Sequence, residues 1–201
     1  MVTSLWLVII TLLLIWSQSN AQEYFLQPER DARFVSSGDS DSTVIQPGDS
    51  LYDSLRTLQS DSSLVLSSGQ YQLEQYILVS NLSKVRISGQ ENVIISCSEN
   101  VGLAFINMTG LVIESVRIEG CGLSGRNLNH ALAEIRQFID LFLVVYSEIR
   151  AALLLAHCEN LQMNRVELYN NVGFGVVGVN IIGTSVISQL TVINNMYGGG
   201  A

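Results

Sequence analysis

The chain has 201 residues and a formal net charge of −8, with only 10 basic side chains. This balance excludes the basic face that a nucleic-acid partner requires, and it is slightly unfavourable for an acidic polysaccharide. The length is sufficient for one domain after removal of an N-terminal signal.

The N-terminal segment has the pattern of a secretory signal. Residues 1–16 carry no charged side chain, and the apolar run Leu5–Trp16 is shorter than the about 20 residues that a membrane span needs. Ser19 and Ala21 are small, as a signal peptidase requires. We expect residues 1–21 to be a signal peptide that is cleaved before Gln22, and an uncleaved anchor is the alternative.

Residues 22–49 are polar and are expected to form a flexible N-terminal arm. The segment Ser50–Asp53 then has the spacing of a capping box, which predicts a short helix through Leu58. Leu51 and Leu55 fall on one face of this helix. We expect it to cap the first turn of the domain that follows, residues 50–201.

The remainder of the chain repeats a unit of about two dozen residues. Its apolar residues alternate in short runs, as at Leu111 and Ile113, and period two predicts strands with one buried face. Three short strands per unit, separated by Gly, Asn or Ser, predict an all-β, parallel β-helix. Residues 123–149 exceed one unit and are the least regular part, although Phe138–Tyr146 has strong β character. The sequence ends mid-pattern at Gly198–Ala201, which predicts a truncated solenoid.

Two pairs of adjacent asparagines align between repeats. Asn170 and Asn171 fall on Asn194 and Asn195 when the units are superposed. One interpretation is an asparagine ladder, in which stacked amides hydrogen-bond along the solenoid axis. The other is that asparagine tolerates the left-handed conformation of a turn. The sequence leaves both open.

Three cysteines in a secreted chain leave one unpaired. Cys97 and Cys121 are one repeat apart, and equivalent positions on neighbouring turns lie about 4.8 Å apart, within the range of a disulfide. We therefore predict a Cys97–Cys121 disulfide and a buried thiol at Cys158. Asn81-Leu-Ser and Asn107-Met-Thr are sequons, which predict N-glycosylation at Asn81 and Asn107.

Several segments carry a resemblance to a known family. The predicted cap helix is followed by the segments Leu64–Tyr71, Ile94–Cys97, Gly102–Phe105, Glu119–Gly122 and Asn170–Val176. Together they resemble right-handed parallel β-helix proteins with a pectin-lyase-like fold, and most of all the uncharacterised secreted β-helix repeat proteins of simple animals. The resemblance covers about residues 43–201. It implies a fold rather than an activity, and in such relatives the β-helix continues further.

No catalytic residue is predicted. Pectin-active enzymes of this fold gather carboxylates on one face, with calcium or an arginine base, and glycosidases need two nearby carboxyl groups. Here Glu114 aligns with Asn164, which is an amide, so the alignment does not bring two carboxylates together at this position. Only Arg117 and Glu167 place opposite charges in one column, and the sequence does not decide whether a turn separates them.

No cofactor or metal is predicted either. Gly173–Gly178 matches GxGxxG, but no acidic residue follows Glu167 and no helix is expected, so a tight solenoid corner is the better interpretation. His130 and His157–Cys158 lack the spacing of metal ligands.

Two functions follow from these patterns. The first is a secreted, non-enzymatic scaffold or extracellular recognition and adhesion module that binds a glycan or a protein. The alternative is a carbohydrate-active enzyme whose catalytic turns are missing from this chain. Because residues 183–193 are β-rich and uncharged, we also expect end-to-end self-association.

Overall fold

A computed structural model describes residues 42–98, 101–124 and 150–196, which all belong to the compact unit Asp39–Ala201. The predicted signal peptide (residues 1–21), His130, the apolar segment Phe138–Tyr146 and the end of the chain from Gly198 lie outside the described residues.

The described residues form a parallel β-solenoid of about five turns, so the all-β parallel architecture predicted from the repeat is confirmed. The elements are β1 Ser42–Ile45, α1 Leu51–Arg56, β2 Ser63–Leu66, β3 Gly69–Leu73, β4 Ile77–Ser80, β5 Arg86–Gly89, β6 Val93–Cys97, β7 Leu103–Ile106, β8 Val112–Glu119, β9 Leu123–Ser124, β10 Arg150–Ala156, β11 Gln162–Tyr169, β12 Phe174–Val179, β13 Val186–Ser188 and β14 Thr191–Ile193. One sheet has the strand order β1-β2-β5-β8-β11-β13, with β3, β6 and β14 alongside, and the other has the order β12-β10-β7-β4, with β9 paired to β10.

The core is built from columns of apolar side chains that stack from turn to turn. Leu64, Ile87, Ile113 and Met163 follow one another in register, and each is at most 4% exposed. Each fully buried aliphatic side chain contributes roughly 1.5–3 kcal/mol, and a single turn cannot provide this burial. Stacking is therefore what makes each turn stable.

The corners of the turns repeat a left-handed backbone conformation. Asparagine and glycine adopt positive φ more readily than other residues, so they are expected at such corners. Two columns of such corner residues are described below. The first consists of Asn81, Asn107, His157 and Asn180, and the second of Gly120, Asn170 and Asn194.

One turn carries an insertion. β7 pairs directly with β10, with Leu103 opposite Leu153 and Phe105 opposite Leu155, as the aligned repeats predict. The chain leaves this turn at Ser124 and returns at Arg150, where β9 and β10 pair antiparallel. Residues aligned across this insertion therefore lie on adjacent turns, with no turn between them.

The N-terminal end is covered by α1. Ser50 is its N-cap, since its Oγ accepts a hydrogen bond of 3.1 Å from the Asp53 N–H, as the capping-box spacing predicts. The helix ends at Arg56, earlier than the predicted Leu58, which instead packs against the core as a partly buried side chain. Leu51 and Leu55 are each 2% exposed.

The solenoid also begins earlier than the sequence indicates. Strand β1 lies within the segment assigned to the N-terminal arm, yet it pairs in parallel with β2. Ile45 is buried, and its carbonyl accepts a hydrogen bond of 3.0 Å from the Tyr71 hydroxyl. Residues 42–45 therefore belong to the solenoid, because they pair with β2 and Ile45 contributes to the core.

Candidate functional site

A polar groove of about 450 Å³ lies on the outer surface of the solenoid. One side is formed by residues 89–94, which include the end of β5, the corner and the start of β6, and the rest is formed by residues 115–117 with Arg165 and Glu167. Three successive turns thus contribute to the groove.

The groove exists because one corner is wider than its neighbours. Gln90, Glu91 and Asn92 separate β5 from β6, whereas on the next turn β8 passes the corner with Ser115 alone in the left-handed conformation (φ 56°). At the foot of the wider corner, a Cβ on Gly89 would collide with the carbonyl oxygen of Ser115. Only glycine allows this approach, so Gly89 fixes the wall in position.

Arg117 and Glu167 form an ion pair in the groove. They are directly opposite each other on β8 and β11, and Glu167 Oε2 accepts a hydrogen bond of 2.8 Å from Arg117 Nε and lies 2.7 Å from Nη2. The hydrogen bond that Arg117 donates to Glu167 raises the pKa of Arg117, and burial opposes this effect. The guanidinium also lies over the Tyr169 ring, 4.6 Å from its centroid. The two charges that the sequence places in one column are therefore adjacent and mutually neutralised.

Arg165 presents a second guanidinium to the groove. It occupies a left-handed corner (φ 53°) whose equivalents on the flanking turns are Ser115 and Gln189. Those residues show that the corner does not require arginine. Arg165 is exposed, and within the described part of the chain it forms no salt bridge. Its donors are available to a ligand, beside the exposed amides of Gln90 and Asn92.

The other carboxylates of this sheet are paired with donors rather than with each other. Glu114 forms an ion pair with Arg86 and lies opposite Asn164. Glu119 lies opposite Tyr169 and accepts a hydrogen bond of 3.2 Å from Ser96 Oγ. Among the described residues, no three His, Cys, Asp or Glu side chains are grouped so that they could hold a metal ion.

The two sequon asparagines lie on adjacent turns and contact each other. Asn107 Nδ2 donates a hydrogen bond of 2.7 Å to Asn81 Oδ1, and both residues are exposed. The same column continues through His157 to Asn180, with 2.7 Å between His157 Nδ1 and Asn180 Nδ2. This column could not be predicted from the asparagines alone, because a histidine interrupts them, and the strand register reveals it.

The predicted asparagine ladder separates into two columns with different roles. Asn171 Nδ2 donates a hydrogen bond of 2.8 Å to Asn195 Oδ1, so the inner pair stacks through its amides. Asn170 and Asn194 instead adopt φ of 50° and 55° and are exposed, so the outer pair forms left-handed corners. Each of the two interpretations left open by the sequence therefore describes one column.

The cysteines lie where the repeat places them. The Cα atoms of Cys97 and Cys121 are 4.8 Å apart, at disulfide distance on adjacent turns. Cys158 is a buried free thiol that donates weak hydrogen bonds to backbone carbonyls, and burial raises its pKa. Since the thiolate is the reactive form, Cys158 is in a chemically inert position.

The GxGxxG segment does not have the context of a dinucleotide site. Residues Phe174–Val179 form strand β12 rather than a helix. Gly173 has φ of 135°, and a Cβ there would collide with the carbonyl oxygen of Arg150. Gly173 therefore allows two backbone segments to approach closely at a corner, as expected.

A scan against protein-family models finds no match to the chain, and searches of curated proteins and of solved structures find none. The structure therefore shows the fold, a parallel β-solenoid, and not a family. Within residues 42–98, 101–124 and 150–196, no helix has the length and apolar character needed to cross a membrane.

Proposed function

We propose that the chain is a secreted, non-enzymatic recognition module of the pectin-lyase-like β-helix group, in which the solenoid is a rigid scaffold and the groove binds a glycan. One observation carries the proposal. Among the described residues that line the groove, the charges of Arg117 and Glu167 satisfy each other, while Arg165 and the neighbouring amides keep their hydrogen-bonding groups available.

These groups suit a polyhydroxylated ligand. A guanidinium donates several hydrogen bonds in a fixed plane, and the amides of Gln90 and Asn92 both donate and accept, as sugar hydroxyl groups require. Because the chain has a net charge of −8, a neutral glycan is favoured over a polyanionic one.

The same geometry disfavours glycoside hydrolysis. That reaction needs one carboxyl group to deliver a proton and a second to act as nucleophile or base. Arg117 Nε donates to Glu167 Oε2 and Nη2 lies 2.7 Å from it, so this oxygen is already engaged. Glu91, the other carboxylate of the groove, stands on the opposite wall and belongs to the widened corner.

One feature of the structure is compatible with secretion. The Cys97–Cys121 pair suits an oxidising, extracellular environment. Glycosylation at the exposed asparagines Asn81 and Asn107 stays a prediction from the sequons. The alternative of a carbohydrate-active enzyme whose catalytic turns lie outside this chain stays a prediction from the sequence.

Glycan binding is tested with the secreted chain on an array of neutral and acidic glycans, followed by titration calorimetry with the best binder. Arg165→Ala should weaken binding about tenfold to a hundredfold, the effect of losing a charged hydrogen bond of roughly 1.5–3 kcal/mol. Arg56→Ala is the matched control, because Arg56 is an exposed arginine on α1, away from the groove. Absence of binding to every glycan, or equal binding by Arg165→Ala, would contradict the proposal.

A further inference from the structure

A second apolar cluster lies on the outer face of the sheet formed by β4, β7, β10 and β12. On β7, Leu103 and Phe105 belong to the solenoid core, so the alternate residues Ala104 and Ile106 point outward. Both outward residues are nonetheless buried, with exposed fractions of 0% and 1%. The other buried members of the cluster are Leu123, Ala151, Leu154, Ala156 and Val177. The outer side of this sheet is therefore the interior of a second core.

The strands of the sheet do not bury this cluster by themselves. Leu154 has Ala104 and Val177 beside it in register on the flanking strands, and it is 3% exposed. Neighbours about 4.8 Å away shield the flanks of an outward side chain but not its tip. On the first sheet, Arg117 and Glu167 also have neighbours in register on both sides, and their side chains are still 39% exposed. A further layer of chain therefore lies over the second sheet.

The insertion between β9 and β10 begins and ends beside this cluster. Leu123 lies opposite Ala151 in the antiparallel pair of these strands, and the two residues are 2% and 1% exposed. The chain therefore enters and leaves residues 125–149 at the edge of the outer face. The sequence of this insertion includes Phe138–Tyr146, in which Asp140 is the only charged residue. Such an apolar run needs a surface to cover it, because soluble proteins rarely leave large apolar patches exposed.

We propose that residues 125–149 dock on the outer face of the second sheet and that Phe138–Tyr146 supply the apolar side chains that cover it. The occupant is a segment of the same chain, so the contact forms without a partner. Docking removes two apolar surfaces from water together, one on the strands and one in the insertion, and this burial is the driving force. The outer face of the second sheet is consequently closed to external ligands, unlike the groove on the first sheet.

Photo-cross-linking tests the contact in the full secreted chain. Tyr76 is a partly buried tyrosine that packs against the cluster, and p-benzoylphenylalanine is an aromatic replacement for it. With this replacement, irradiation should produce adducts that mass spectrometry locates within residues 125–149. The same replacement of Tyr52 is the matched control, since Tyr52 lies on α1 against the solenoid core and should give no adduct in that range. Adducts of Tyr76 that lie only outside residues 125–149, or that join two chains, would overturn the proposal.

Excision of the insertion tests its role as a cover. An Asn-Gly turn in place of residues 125–149 joins β9 to β10 as a two-residue hairpin, because Ser124 and Arg150 are already paired. The excised chain should keep its β-type circular dichroism and should bind the dye ANS several-fold more strongly than the full chain, since its outer face is now open. A folded excised chain with unchanged dye binding would show that something else covers the face, against the proposal.

Two matched valine substitutions test the cover independently of dye binding. Val177→Asp places a charge in the cluster, where the valine is 3% exposed, whereas Val112→Asp places one on the outward side of β8, where the valine is partly exposed. In the full chain, Val177→Asp should lower the urea midpoint markedly more than Val112→Asp, because only the first charge is buried. In the excised chain the two substitutions should have similar, small effects. A large difference that persists after excision, or equal midpoints in the full chain, would contradict the proposal.

Discussion

The backbone N–H of Cys121 donates a hydrogen bond of 2.9 Å to Oδ1 of Asn171 on the next turn. Cys121 is also at disulfide distance from Cys97, and Asn171 bonds onward to Asn195. A single column therefore joins four turns, by sulfur at its N-terminal part and by side-chain amides at its C-terminal part. This column holds the β8 and β11 register on which the groove depends.

The sulfur part of the column should contribute strongly to stability. A disulfide spanning the 24-residue separation of Cys97 and Cys121 stabilises by roughly 3 kcal/mol in the chain-entropy description. The double variant Cys97→Ser/Cys121→Ser should lose about this much free energy of unfolding, measured by urea denaturation. A non-reducing peptide map of the wild type should join these two cysteines and leave Cys158 free. Finding both as free thiols would refute the pairing.

The different roles of the two adjacent asparagines, Asn170 and Asn171, can be tested with a matched pair of variants. Asn171 is 2% exposed, and its side chain bonds to Cys121 N–H, to Asn195 and to the Ile118 carbonyl. Asn171→Ala should cost roughly 2–3 kcal/mol, because buried groups lose their partners. Asn170→Gly should change stability by less than about 1 kcal/mol, because glycine accepts the left-handed corner. Equal effects in thermal or urea unfolding would contradict the two roles.

Tyr71 gives the N-terminal turn an alkaline pH dependence. Its buried hydroxyl is 3.0 Å from both the Ile45 and Ser67 carbonyls, and burial raises its pKa above the ordinary 10.0. The unfolded chain ionises first, so this contribution is complete below about pH 10 and is lost as the pH rises through the folded-state pKa.

Tyr71→Phe should therefore cost roughly 1 kcal/mol near neutral pH, the net value of a hydrogen bond. The difference in urea midpoint between wild type and variant should shrink as the pH is raised above about 10. A difference that stays constant between neutral and alkaline pH would show that ionisation of Tyr71 is not linked to folding.

One sample of the secreted protein tests both the glycosylation prediction and the signal-cleavage prediction. The chain secreted from eukaryotic cells should begin at Gln22 and should lose mass on enzymatic deglycosylation. Asn81→Gln with Asn107→Gln should abolish that loss, since these residues carry the sequons of the described surface. A protein with no mass shift would remove the glycosylation prediction, and one starting at Met1 would remove the cleavage prediction.

The period-two pattern predicted the fold because it is imposed by burial. Ile113 faces Met163 in the structure, as the aligned repeats require, since any other register would expose the core. The adjacency of Arg117 and Glu167 was not predictable. Their 50-residue separation fits two turns, or one turn with an insertion, and only strand pairing distinguishes these. The groove was missed for a related reason, because it depends on a locally widened corner at residues 90–92 rather than on any motif.

Turnover of a polysaccharide by the secreted chain separates a recognition module from an enzyme most directly. Polygalacturonate and neutral glycans bound on the array should show no new reducing ends or unsaturated products after prolonged incubation, with or without calcium. The expected reason is that Glu167 is held by Arg117 and that its neighbours in register on the flanking strands, Arg117 and Thr191, carry no carboxylate. Measurable cleavage that disappears in Glu167→Gln would contradict this account and identify the groove as an active site.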